Sequence, residues 1–221
     1  GAREVRATLA ALERAGSTVQ YVAADVQDAA SLAAALDGVR RALGPITGVV
    51  HGAGVLADKR ITDKTEAQFD KVFDVKVGGL RALLDATASD PIDVLCLFSS
   101  VAARAGNVGQ VDYAMANEVL NAVACAEQRR RGGACIVRSI GWGPWEGGMV
   151  TPSLKAHFQS RGVALIPLDA GAEGGRIGSA AHASACSRSA IISSASSSPT
   201  ATRIRPSWMP RRRRWSAESE W

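Results

Sequence analysis

The sequence predicts an α/β fold built on a parallel, doubly wound sheet. Three observations carry that prediction. Strand-like and helix-like segments alternate through residues 1–170. One strand candidate, Asp93-Val94-Leu95-Cys96-Leu97-Phe98, is a continuous apolar run, as expected of a parallel strand buried on both faces. The residues with chemical potential follow strand candidates, at Asp25-Val26, Gly52-Ala53-Gly54, Ser100 and Gly143-Pro144-Trp145. Open α/β sheets bind ligands beyond the carboxyl ends of their strands.

The elements follow in order. Glu4 to Ala15 is rich in Ala, Leu, Arg and Glu and reads as a helix stopped by Gly16. Val19 to Asp25 reads as a strand. Asp28 can cap a helix running to about Leu43, ended by Gly44-Pro45. Ile46 to His51 is a second strand. Thr65 to Ala88 carries Phe69, Val72, Phe73, Val77, Leu80, Leu83 and Leu84 at helical spacing. After the Asp93–Phe98 strand, Asp112 to Arg131 is a helix stopped by Gly132-Gly133. Ala134 to Ile140 is the next strand, and Gly141-Trp142-Gly143-Pro144-Trp145 the loop behind it.

The 221 residues fit one domain and a tail. Apolar content is ordinary, and the few aromatics suit a core of Ala, Val and Leu. No apolar run is long enough to span a bilayer, and no signal-peptide pattern opens the chain, so a cytoplasmic protein is expected. The chain does not begin with Met, which suggests part of a longer polypeptide. Cys96, Cys125, Cys135 and Cys186 show no CxxC spacing, and His51, His157 and His182 are scattered. Reduced thiols and no metal site are expected.

From Gly174 to Trp221 there are eight Arg, two acids, and neither Leu nor Val. The 173 residues before that carry 18 basic and 19 acidic side chains, so the net charge of +5 belongs to the tail. Residues 1–172 therefore read as the domain. Residues 173–221 read as a low-complexity Ser/Ala/Arg tail, disordered because it cannot bury enough apolar surface. A genuine linker and a frameshift near Ala172 to Gly175 both stay open. Arg211 to Arg214 has no recognisable fold around it, so no nucleic-acid partner is expected, nor a membrane.

The chemistry concentrates in Phe98-Ser99-Ser100 through Tyr113-Ala114-Met115-Ala116-Asn117. Ser100 ends a strand, and Tyr113, 13 residues on, opens the next helix, so one turn can bring both hydroxyls together. Tyr is a weak acid near neutrality, and a nearby cation such as Lys76 would favour its phenolate. Asn117 lies four residues after Tyr113, on the same helical face. Singly, Ser100 reads as a loop cap, Lys76 as a solvated lysine and Tyr113 as packing. The four together, with their neighbours, carry more than that.

These stretches, with His51-Gly52-Ala53-Gly54-Val55, Phe73-Asp74-Val75-Lys76-Val77-Gly78-Gly79 and Ile140-Gly141-Trp142-Gly143-Pro144-Trp145 before Gly148-Met149, resemble the ketoreductase domains of polyketide and polyunsaturated-fatty-acid synthases. Those domains belong to the short-chain dehydrogenase/reductase superfamily, whose sheet is Rossmann-like. Ordinary members of the superfamily place Lys four residues after the Tyr. Here Asn117 holds that position and Lys76 lies on the preceding helix, as in the synthase domains.

The resemblance implies NADPH-dependent reduction of a β-ketoacyl group on an acyl carrier protein, beside other synthase domains. It makes Tyr113 the general acid and Ser100 the carbonyl donor. It gives Lys76 the nicotinamide ribose and Asn117 a proton relay. Asp25 and Val26 would meet the adenine, Gly52-Ala53-Gly54 would let the cofactor approach closely, and Gly143-Pro144-Trp145 would lie against the nicotinamide. Leu56-Ala57-Asp58 is similar to a motif of domains that give D-configured alcohols; Ala105 stands where a Trp accompanies the opposite outcome.

One departure is large. No GxGxxG loop stands before residue 16, where the family places the pyrophosphate at a helix N-terminus. The family's strand order is 3-2-1-4-5-6-7, with Val19–Asp25 as strand 3 and Ile46–His51 as strand 4. Strands 1 and 2 are then expected to be missing, strand 7 to be lost in the tail, and this chain to be inactive alone. A non-catalytic remnant that packs on partner domains, and a free-standing short-chain dehydrogenase, are the alternatives.

Overall fold

The computed structural model describes residues 2–148, 150–160, 162–172 and 190–192. Met149, Cys186, His182 and the Arg211–Arg214 run lie outside the described residues, as does all of the tail except 190–192. Helices α1 (Ala2–Arg14) and α2 (Ala29–Leu43) come first, then strand β1 (Gly48–His51). Next are α3 (Glu66–Ala86), β2 (Val94–Ser100), α4 (Ala102–Ala105) and α5 (Val111–Arg131). A 3-10 turn (Gly132–Ala134), β3 (Ile136–Trp142), α6 (Pro152–Ser160) and β4 (Ala190–Ile192) complete the order.

The four strands lie in the order β1-β2-β3-β4, every pair parallel. Val49 pairs with Leu95, and Leu95 with Val137. Successive side chains of a strand point to opposite faces. On one face Val49, Leu95, Leu97 and Val137 form a core with Leu80 of α3 and Leu120 and Ala124 of α5. On the other, Cys96, Ile140 and Trp142 pack with Ile166. The helix starts are chemically marked. Asp28 accepts from the N–H groups of Ala30 and Ser31, and Thr65 and Gln68 close a reciprocal capping box on α3. Arg40 of α2 donates to Asp90 and to the Ala86 carbonyl, while Asp90 accepts from the Ile46 N–H, which fixes α2 and the end of α3 beside β1.

One expectation is corrected. Val19 to Asp25 is not a strand: residues 17–25 carry no ladder, and Tyr21 and Val22 are exposed. A strand exists only when its backbone groups find a neighbour. None of the described residues pairs with it, and β1 has a single ladder partner, β2. Within the tail, the described residues Ala190–Ile192 form β4, which pairs with Ile140 to Trp142.

Candidate active site

Strand β2 ends in two serines whose side chains part. Ser99 faces α5 and donates to the Asn117 carbonyl at 3.0 Å. Ser100 accepts from the Ala102 N–H at 3.1 Å, which anchors its oxygen at the start of α4. Its strand neighbour is Trp142, and the Val101 N–H continues the ladder to the Trp142 carbonyl at 3.0 Å.

Tyr113 is the third residue of α5. Burial pushes its phenol above the ordinary value; hydrogen bonds with the Ser100 and Asn117 side chains pull it down, and the Asp58 carboxylate adds to the rise. The Ser100 side chain therefore lies close enough to the Tyr113 phenol to act on it. Asn117 is fully buried: its Nδ2 donates to the Tyr113 carbonyl at 2.7 Å, and its Oδ1 has no partner.

Lys76 comes from α3. Its ammonium donates to the Phe98 carbonyl at 3.0 Å and lies 5.5 Å from the centre of the Tyr113 ring. Burial lowers its pKa to about 8. Lys76 is not among the groups that shift the Tyr113 pKa. The net direction is upward, because burial outweighs the hydrogen bonds, and the ammonium sits by the ring and bonds a carbonyl.

The glycines after β1 act through this lysine. A Cβ on Gly54 would stand 3.2 Å from Lys76 Cε and 3.5 Å from its Nζ. A Cβ on Gly52 would stand 3.5 Å from the Phe98 ring, an ordinary contact. Ala53 between them is half-buried. Beneath, buried His51 donates from Nε2 to the Lys76 carbonyl at 2.8 Å.

Gly143-Pro144-Trp145 leaves the end of β3 beside Ser100. Trp145 packs edge-on against Trp142 at 4.7 Å, and the Pro144 carbonyl accepts from Ile166 at 2.8 Å. Asp25 accepts from the Gln27 N–H at 2.9 Å, and Val26 packs on Gly79, one turn beyond Lys76.

Sequence reasoning missed a set of links over the tyrosine. Lys64 forms a buried ion pair with Asp112 at 2.6 Å and donates to the Ala57 carbonyl at 2.7 Å. Gln110 donates to Asp58 at 2.8 Å. A carboxylate beside the tyrosine at a helix start was a usable local signal; nothing near Lys64 in sequence marks its partner. Among the described residues, no group of three or more His, Cys, Asp or Glu could hold a metal, and Cys96, Cys125 and Cys135 form no disulfide.

The family model for the KR domain matches residues 1–147. This chain belongs to the KR-domain family. A Thraustochytrium protein, one of the subunits of a polyunsaturated fatty acid synthase, is 46% identical over 174 residues, covering 78% of this chain and 6% of that one. An erythronolide synthase of Saccharopolyspora erythraea is 38% identical over 170 residues, 76% of this chain and 4% of that one. This KR chain thus spans a small part of the curated relatives that it matches.

The same holds among solved structures. A ketoreductase domain from the bacillaene assembly line is 34% identical with a TM-score of 0.67, over 77% of this chain and 42% of that one. An N-terminal ketoreductase from the macrolactin assembly line has a TM-score of 0.70 at 28% identity, over 82% and 36%. A Serratia marcescens short-chain dehydrogenase/reductase, 20% identical with a TM-score of 0.71, shares the fold. The KR chain is a Rossmann-like α/β protein, and the expected family relationship holds. Among its described residues no helix is long and apolar enough to cross a membrane.

The KR family uses a nicotinamide cofactor, and the residues present fit one end of it. A buried ammonium with a single described hydrogen bond has donors to spare, bare glycine backbone lies beside it, and Asn117 Oδ1 is unpartnered. These suit the nicotinamide ribose and a polar neighbour. Residues 1–16 hold no glycine-rich loop of the kind that binds a pyrophosphate.

Proposed function

We propose that this chain carries the catalytic centre of a β-ketoacyl reductase, which reduces a β-ketoacyl group on an acyl carrier protein to the β-hydroxyacyl form with NADPH, beside other domains of a synthase. The observation that supports this reading best is the Ser100 side chain close to the Tyr113 phenol, with the buried Lys76 ammonium 5.5 Å from the ring centre. Two O–H donors converging on one point suit a carbonyl oxygen that gains negative charge.

Lys76 would hold the nicotinamide ribose, with Gly52-Ala53-Gly54 and Gly143-Pro144-Trp145 flanking the ring and Asp25-Val26 toward the adenine. When bound, that cofactor supplies the hydride that the carbonyl carbon accepts. Ser100 donates to the ketone oxygen and holds it. Tyr113 gives its proton to the same oxygen as the C–O π bond breaks, so the alcohol forms and a phenolate remains. A phenol whose pKa is raised by burial keeps its proton until an alkoxide develops. The phenolate is then reprotonated from solvent through Lys76 and a water for which Asn117 Oδ1 is a free acceptor.

Residues 1–172 are the domain in this reading, and the tail has no part in it. In this reading residues 1–221 alone are not expected to turn over, because residues 1–16 hold no GxGxxG loop for the pyrophosphate. That one gap favours a second reading, a remnant that only packs on partner domains. The two separate in one experiment. The full chain is assayed on a β-ketothioester with NADPH, alone and fused behind a strand–GxGxxG–helix unit from a related ketoreductase. Turnover in the fusion and none in the chain alone supports the proposal. No turnover in a folded fusion supports the remnant.

A further inference from the structure

The ion pair of Lys64 and Asp112 has no part in the chemistry above, yet it is among the most buried polar contacts of the chain. The two side chains are 3% and 1% exposed, and 48 residues separate them. Asp112 directly precedes Tyr113. Its Oδ1 accepts the Tyr113 N–H at 2.9 Å, and its Oδ2 accepts from Lys64. The same ammonium donates to the Ala57 carbonyl. One cation thus ties the loop after β1 to the first turn of α5.

Neighbouring links run in parallel. The Lys59 N–H donates to the Gly109 carbonyl at 2.9 Å, and Gln110 donates to Asp58 while accepting from Asn107. Among these, the Lys64 link alone reaches the residue adjoining the tyrosine. A buried charge pair is a poor source of stability, because desolvation offsets its attraction. Its value is directional: two charge-assisted hydrogen bonds hold both segments in one arrangement.

We propose that Lys64 is a positioning residue for the reduction. Through Asp112 it fixes where α5 begins, and hence where the Tyr113 phenol stands relative to the 56–58 segment that borders the site. This rests on the ketoreductase reading. Misplacing an acid by about 1 Å costs on the order of 100-fold in rate while leaving substrate contacts made elsewhere intact. The loss therefore falls on kcat and not on KM.

The test uses the full chain fused to the glycine-rich unit. Lys64→Met leaves the Asp112 charge buried and unpaired, so the informative variant is Lys64→Met with Asp112→Asn. That pair removes both charges and keeps an acceptor for the Tyr113 N–H. The double variant should unfold thermally near wild type, lose roughly 10- to 100-fold in kcat, and keep KM within about threefold. Lys64→Arg should restore most of the rate, because its guanidinium reaches the same two oxygens. Amide exchange, which needs no turnover, should rise at residues 56–58 and 111–114 and stay unchanged at 94–100. A folded double variant with kcat within about twofold of wild type, or a loss carried by KM, would overturn the proposal, as would unchanged exchange. If wild type turns nothing over, the ketoreductase reading fails, while the exchange data still decide whether Lys64 holds the two segments.

Discussion

The ammonium of Lys76 stands 5.5 Å from the centre of the Tyr113 ring and bonds the Phe98 carbonyl at 3.0 Å, in surroundings that lower its pKa to about 8. It is charged below that pH and neutral above. A neutral amine holds a ribose and feeds a proton relay less well, so kcat/KM should fall as pH rises through about 8. A pH–rate profile measured with Lys76→Met in parallel checks this: the variant should be slower and lack that descending limb. A wild-type profile flat to pH ~9.5 would contradict it.

The same lysine predicts a stability effect of definite sign. Its pKa is near 10.5 unfolded and about 8 folded. Between these values the unfolded chain binds more protons, so the lysine's destabilising effect fades as pH rises. Relative to Lys76→Met, the wild type should gain up to roughly 3 kcal/mol between about pH 8 and 10.5. Denaturant midpoints of both proteins across that window provide the comparison. An equal pH dependence in the two would show that Lys76 is not buried as a cation.

How much of this was legible in the sequence depends on the range of the interaction. The cap Asp28 acts within three residues, and the helix it opens begins one residue later, as read; Thr65, read as the first residue of the next helix, is its cap. Ser100 and Tyr113 were legible because a strand–turn–helix brings them together. Val19 to Asp25 has strand composition but no neighbour to pair with, and composition carries no information about the neighbour. The Lys64–Asp112 pair spans 48 residues and leaves no periodic trace. The upward shift of Tyr113 depends on burial, which a motif does not report.

Gly54 and Gly52 should differ on substitution. A Cβ at Gly54 would press on Lys76 Cε at 3.2 Å, while one at Gly52 meets the Phe98 ring at an ordinary 3.5 Å. Gly54→Ala is expected to cost roughly three- to tenfold in kcat/KM by displacing the ammonium. Gly52→Ala should cost less than about twofold. Equal losses at both positions would point to cofactor contact and away from lysine placement.

Product configuration follows from the 56–58 segment. Asp58 accepts from Gln110 and lies close enough to raise the Tyr113 pKa, so in the proposed reading it would border the ketone. A D-configured β-hydroxyl product is expected, and Asp58→Ala should erode its enantiomeric excess. Chiral chromatography of the reduced thioester decides; an L product from the wild type would contradict the assignment.

The central claim is that Tyr113 is the acid of a ketone reduction. Its most direct measurement is the rate of β-ketothioester reduction by the glycine-rich fusion with Tyr113→Phe. The variant keeps the ring over which the Lys76 ammonium sits and loses only the hydroxyl that Ser100 meets. The account predicts a loss of ~100-fold or more in kcat, the low end for removing a general acid, with NADPH affinity little changed. A rate within about twofold of wild type would contradict it.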